Sequence, residues 1–217
     1  QVLQACGDFN LETTAQTFKI ALHDAIEPIV LPKLQLALAK HAPNASLASV
    51  KLSREDMHKQ LANHQIDMAI DVARPIKAPI SHAVLSSDHF CVLMKKNHPL
   101  KNQLNIDNYL VAKHVAVSNR ATGTVIEDIA LLQLSFNRQV AIRCQNYFAA
   151  KEVIKDAPFL LTLPSMVASQ LLDDTLIARP VPTTMPAIYQ HLYWHQSTDK
   201  DDALVWLRGQ VQHIFKR

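Results

Sequence analysis

The sequence predicts an α/β fold, and three observations carry that expectation. Short segments rich in β-branched and aliphatic residues recur along the 217 residues, and helical patterns alternate with most of them. Twice, about ninety-five residues apart, an apolar strand runs directly into a polar, helix-starting turn. Alternation at this spacing points to βαβ units and a largely parallel sheet. A strand that ends at a helix start also presents unpaired N–H groups at the carboxyl edge of the sheet, where open α/β sheets bind ligands.

Strands are expected at Thr17–Leu22, Leu47–Leu52, Ile66–Val72, Phe90–Met94, Val115–Val117, Val140–Cys144, Phe159–Leu163 and Ile188–Trp194. Helices are expected at Ile26–His41, Arg54–Asn63, Thr124–Leu134, Phe148–Lys155, Met166–Leu172 and Asp202–Phe215. Residues 1–12 show no periodicity and read as a linker remnant. Asp24-Ala25-Ile26-Glu27 fits a cap-x-x-Glu start, and Ser53-Arg54-Glu55-Asp56 sets acids in a first turn. Pro28 and Pro32 move the regular part of the first helix toward Pro28, because proline is comfortable only near a helix start. Leu204, Leu207, Val211 and Ile214 make an ordinary core stripe on the last helix.

Two helices are apolar beyond one face. In Ile29–Ala39, Val30, Leu31, Leu34 and Leu38 form a stripe while Ile29 and Leu36 lie nearly opposite, and Val125–Leu134 is apolar over much of its circumference. Such helices are either fully buried or cover a subunit interface.

Composition excludes several functions. A net charge of +3 with scattered Lys and Arg gives no phosphate-tracking stripe. No apolar run nears the roughly 20 residues that span a bilayer. Eleven histidines include no HExxH and no zinc-ligand spacing, and no metal or cofactor is expected. The only glycines are Gly7, Gly123 and Gly209, which removes phosphate cradles and a GxSxG elbow. Ser197-Thr198-Asp199-Lys200 matches SxxK only by letter, and Ser87-Asp88-His89 are neighbours in sequence, whereas a triad assembles in space. An enzyme is therefore not expected. Cys6, Cys91 and Cys144 are unpaired in pattern and favour a reducing cytoplasm, with Cys144 read as a core residue ahead of a redox sensor.

The strand-to-turn edges carry the candidate site. His23 and Asp24 follow the first strand, Ser118, Asn119 and Arg120 follow the Val115–Val117 strand, and Gln145-Asn146-Tyr147-Phe148 adds amide and aromatic groups. Converging donors and aromatics suit a polar, anionic or aromatic small molecule. Asp24 reads equally well as a helix cap.

From about Thr17 onward the chain resembles the effector-binding domain of LysR-type transcriptional regulators, nearest the subgroup of nodulation, nitroaromatic-responsive and LeuO-type regulators. The resemblance rests on Leu31-Pro32-Lys33-Leu34, on His41-Ala42-Pro43, and on Leu61-Ala62-Asn63-His64-Gln65-Ile66-Asp67-Met68-Ala69-Ile70. It continues through His98-Pro99-Leu100, Asn146-Tyr147-Phe148-Ala149-Ala150, Leu163-Pro164 and Trp206-Leu207-Arg208. Their order and spacing, more than any one of them, make it specific. Where the family has glycine in its Gly-Glu-Leu-Asp turn this chain has His64, so that the turn either avoids positive φ or strains His64.

The resemblance implies a two-lobed fold like type 2 periplasmic binding proteins, each lobe a mixed sheet flanked by helices. Lobe I would take 13–88 and 190–217, lobe II 89–189, with crossover strands near Ser87–Phe90 and Ile188–His191. The effector would sit between the lobes against His23, Asp24, Ser118, Asn119, Tyr147 and Phe148, with Arg120, Asp71 and Phe90 behind them. The family's winged helix-turn-helix would precede Gln1 and alone would touch DNA. Homodimers would pair the two unusual helices, with a tetramer in the full-length protein. A periplasmic solute-binding protein of the same fold is the alternative.

Overall fold

A computed structural model of the protein describes residues 10–118 and 120–216. In chain order its elements are β1 (Thr17–Leu22), α1 (Glu27–His41), β2 (Ser46–Lys51), α2 (Met57–Ala62), β3 (Met68–Val72), β4 (Ile80–Asp88), β5 (Phe90–Lys95), α3 (Ile106–Val111) and β6 (Lys113–Val117). There follow α4 (Ile126–Gln133), β7 (Gln139–Cys144), α5 (Tyr147–Asp156), β8 (Leu160–Pro164), α6 (Ser165–Leu171), β9 (Leu176–Pro180), β10 (Ile188–His195), a 3-10 turn at Gln196–Thr198 and α7 (Asp202–Phe215). The chain divides into two compact units. One runs to Ser86 and resumes at Tyr189, and the other is Ser87–Ile188.

The two sheets share one plan. In the first unit the order is β2-β1-β3-β10-β4, with β1 parallel to both β2 and β3 and β10 antiparallel to β3. In the second it is β7-β6-β8-β5-β9, with β6 parallel to β7 and β8 and β5 antiparallel to β8 and β9. The α/β class holds and both sheets are mixed, as the resemblance implies, so the largely parallel sheet expected from the alternation is not found: antiparallel β10 and β5 interrupt it. Met57, Leu61 and Ile66 close over one face of the first sheet against Ala21, Ala69, Ile80 and Tyr193. Val30, Leu34 and Leu38 of α1 and Leu204, Leu207 and Val211 of α7 are buried, and α1 packs on α7. Each such side chain contributes about 1.5–3 kcal/mol of apolar burial.

Three elements were not foreseen. β4 reads ISHAVLSSD and buries Ile80 and Leu85 while its other residues are half-buried or exposed, so its Ser, His and Asp residues hide an edge strand among polar letters. β9 is five residues long, and α3 is six, held by reciprocal bonds between Asn105 and Asn108. Of the helices foreseen, only α7 starts at the expected residue, and at two starts the expected capping fails. α1 begins at Glu27 with Ile26 at its N-cap and no side-chain cap, Pro28 lying in its first turn. The Asp24 carboxylate instead accepts the N–H of Ala25. α2 begins at Met57, because Asp56 receives the Ser53 hydroxyl and leaves the helix N–H groups uncapped.

The His64 turn shows which branch the missing glycine takes. His64 keeps a positive φ of 53°. Its N–H reaches the Leu61 carbonyl and the Gln65 N–H reaches that of Gln60, which is the Schellman pattern closing α2. The same pattern closes α4, where Ser135 has φ 60° and Phe136 N–H reaches the Leu131 carbonyl. Asp67 then clasps β1 at two points, donating its N–H to the Lys19 carbonyl and accepting the Lys19 N–H on Oδ2 at 2.7 Å. A chain with three glycines thus places His and Ser where glycine is unstrained. His64→Gly and Ser135→Gly are each expected to raise unfolding free energy by about 0.5–1 kcal/mol in urea titration, while His64→Val lowers it. Loss of stability in both glycine variants would contradict this account.

Candidate functional site

In the second unit the parallel strands β6, β7 and β8 end at one edge, and β5 begins there because Phe90 pairs with Pro164. Ser118 follows β6 directly and its N–H bonds the Cys144 carbonyl at 2.8 Å, tying the two strand ends together. The Ser118 hydroxyl accepts the N–H of Arg120 at 3.1 Å. Asn119 lies outside the described residues. At the end of β7, Asn146 caps α5 by accepting the Ala149 N–H, which sets Tyr147 and Phe148 in the first helical turn. Phe148 is 74% exposed. A large aromatic held open at a helix start is apolar surface with nothing of this unit over it. Phe90, by contrast, is buried at the start of β5.

The loop between β6 and α4 is held from two sides. Arg120 Nη2 donates to the Thr124 carbonyl, and Arg143 Nη2 reaches from β7 to the Gly123 carbonyl at 2.6 Å. Gly123 has φ +98°, and a Cβ there would meet the Arg120 guanidinium at 3.5 Å. Arg143 was not foreseen as part of this edge. Asp88 was likewise missed: its Oδ2 accepts the Met166 N–H in the first turn of α6.

In the first unit the corresponding edge follows β1 and β3. His23 Nδ1 lies 2.6 Å from Asp24 Oδ1, and both side chains are about half exposed. Asp71, near the end of β3, is 4% exposed. Arg54 grips it with two bonds of 2.7 Å, from Nε to Oδ2 and from Nη2 to Oδ1. Val72 N–H adds a third, and Arg74 stands 3.8 Å away. A concavity of about 290 Å³ in this unit is lined by residues including Gln16, Thr17, His64, Asp67 and Asp201, at the opposite end of β1 and β3. It includes none of the expected contacts, which form open edges within each unit.

Both described thiols are buried, and burial pushes Cys91 up to about 11 and raises Cys144. Little thiolate is present at neutral pH, which agrees with the core reading of Cys144. Among the described residues no group of three His, Cys, Asp or Glu could hold a metal ion, and no helix is long and apolar enough to cross a membrane.

The Arg54–Asp71 pair is unequal in its surroundings, since Arg54 is half exposed and Asp71 is enclosed. Removing the guanidinium strands a buried carboxylate, whereas removing the carboxylate frees an arginine that water can reach. Arg54→Met should therefore cost about 2–3 kcal/mol and Asp71→Asn about 1 kcal/mol in denaturant titration. The reverse order would refute this picture of the edge.

The LysR substrate binding domain family matches residues 12–216. The HTH-type transcriptional activator NahR of Pseudomonas putida is 26% identical over 215 residues, covering 98% of this chain and 72% of NahR. Nodulation protein D 2 of Sinorhizobium fredii is 23% identical over 212 residues, covering 92% of this chain and 65% of that protein. The regulatory domain of MexT, a transcriptional activator in Pseudomonas aeruginosa, shares the fold at TM-score 0.81 and 21% identity, over 93% of this chain and 99% of that one. These relatives regulate transcription, so a periplasmic solute-binding protein is not favoured. The chain belongs to the LysR substrate-binding domain family and is the effector-binding domain of a LysR-type transcriptional regulator, with the family's periplasmic-binding-protein-like fold.

Proposed function

We propose that this domain senses a small anionic or aromatic molecule held between lobe I (13–88 and 190–217) and lobe II (89–189). The carrying observation is the exposed Phe148 at the start of α5, on the same strand edge as Ser118. His23, Asp24, Ser118, Asn119, Tyr147 and Phe148 are the proposed contacts, with Arg120, Asp71 and Phe90 supporting them. Support for an anion comes from Arg120 and Arg143 beside Ser118, and support for an aromatic from Phe148. Binding acts by favouring one arrangement of the lobes or subunits over another. That arrangement controls a DNA-binding part outside this chain, so the domain needs no catalytic group and no cofactor, and it works in the cytoplasm.

A thermal-shift screen of aromatic carboxylates, with benzoate as first probe, identifies a stabilising ligand by its effect on Tm. For that ligand Ser118→Ala and Phe148→Ala each weaken Kd about tenfold in calorimetry, as one polar and one stacking contact are lost. Unchanged affinity in both variants would remove the site assignment.

The proposed homodimer, a tetramer in the full-length protein, uses α1 and α4. On α1 the residues facing away from the core include Leu36, 72% exposed, and on α4 Ile129 and Leu132 are 48% and 54% exposed. Apolar groups in that position ask for a partner. Leu36→Glu and Ile129→Glu should each shift the domain to monomer in analytical ultracentrifugation, and a dimer persisting in both would exclude this interface.

A further inference from the structure

The second unit buries a cluster of charged and titratable groups around the start of α4. Glu127 and Asp128 occupy the first turn of α4, and both Glu127, 3% exposed, and Arg138, 7% exposed, are enclosed. Arg138 Nε donates to Asp128 Oδ1 at 2.6 Å. Its two Nη nitrogens are buried without a hydrogen-bond partner. His114 is fully buried on β6, with Nε2 2.6 Å from the Tyr109 carbonyl. A carbonyl only accepts, so the neutral ring carries its proton on Nε2 and leaves Nδ1 a bare acceptor with no donor. Tyr109 completes the cluster, its hydroxyl 2.7 Å from Thr162 Oγ1.

Two carboxylates therefore share one guanidinium, and that guanidinium pairs with Asp128. Glu127 makes no ion pair among the described residues. An ionised carboxylate so placed has lost water and has no cation in direct ion-pair contact, Arg138 and its own backbone N–H attracting it less than burial costs, the circumstance in which a buried acid keeps its proton. We propose that α4 is seated by a proton on Glu127, so that rising pH loosens the helix from the core of its unit.

The groups facing Glu127 leave it as the one that titrates near neutrality. Burial pushes its carboxyl up to about 7, against the pull of Arg138, with Asp128 adding to the rise. Burial holds His114 down to about 4, so it stays neutral, and burial raises Tyr109 out of range. Arg138 stays charged. The sign follows from linkage. The seated helix binds the proton more tightly than the loosened one, so its hold is complete below the ordinary glutamate range and is lost as pH rises through about 7. α4 also bears Ile129 and Leu132 and follows the loop of Ser118 and Arg120. An effect of pH on self-association or effector affinity rests on the proposed function, whereas the seating itself does not.

Hydrogen exchange on the purified chain tests it through the Ile129, Ala130 and Leu131 amides, as protection factors corrected for intrinsic exchange. Between pH 6 and 8 protection should fall about tenfold in the wild type, the ratio a shift of this size implies. In Glu127→Gln, which mimics the protonated acid, the fall should be less than twofold. Flat protection in the wild type, or the same fall in the variant, overturns the proposal. Carbon-13 titration of the wild-type Glu127 carboxyl gives an answer even if the variant does not fold: a midpoint near 7 supports the seating, and one in the ordinary range of about 4–5 overturns it.

Discussion

Parallel pairing of the central strands is the constraint on which the rest depends. β1 is parallel to both its neighbours and so is β6, so the three strands of each set must end together at one edge. A parallel strand can return only by a crossover, which puts a turn or helix start at every such end. His23 and Asp24, Ser118 and Arg120, and Tyr147 and Phe148 stand at those ends for that reason. The antiparallel strands β10 and β5 then bring further residues to the same edges, since β5 begins at Phe90 where β8 ends.

Much of this was legible because the signals were local. The apolar runs of β1, β6 and β8 are largely buried, and α7 spans Asp202–Phe215 as its periodicity indicates, burying Leu204, Leu207 and Val211 of the expected stripe but Phe215 in place of Ile214. β4 was not legible, because an edge strand half turned to solvent carries Ser81, His82 and Ser86 in place of a hydrophobic run. The cap pattern at Asp24 misled for a related reason. A letter pattern states that an oxygen is near the helix, but the adjacent Ala25 N–H takes it first. Long-range pairings had no sequence signal at all. Arg143 to Gly123, Arg54 to Asp71 and Asp67 to Lys19 join residues 17 to 48 positions apart, and only the sheet makes them neighbours.

The family letters acquire physical reasons in the structure. Pro164 ends β8 and serves as the N-cap of α6, where its missing N–H costs nothing. His98 turns its Nδ1 to the Leu100 N–H, closing the bend after β5. Asp67 has its clasp on Lys19. The one conspicuous departure, His64, retains the geometry of the glycine it replaces, so backbone shape has outlasted residue type at that turn.

The inert thiols have a practical consequence. Cys91 and Cys144 are buried and carry little thiolate at neutral pH, so thiol-directed dyes should pass them by. A cysteine introduced at position 148, on a Cys6→Ser background, could then take a single environment-sensitive fluorophore at the rim of the strand edge. The domain would thereby become an optical reporter of whatever settles against that edge, with no reducing agent needed to protect its own sulfur atoms.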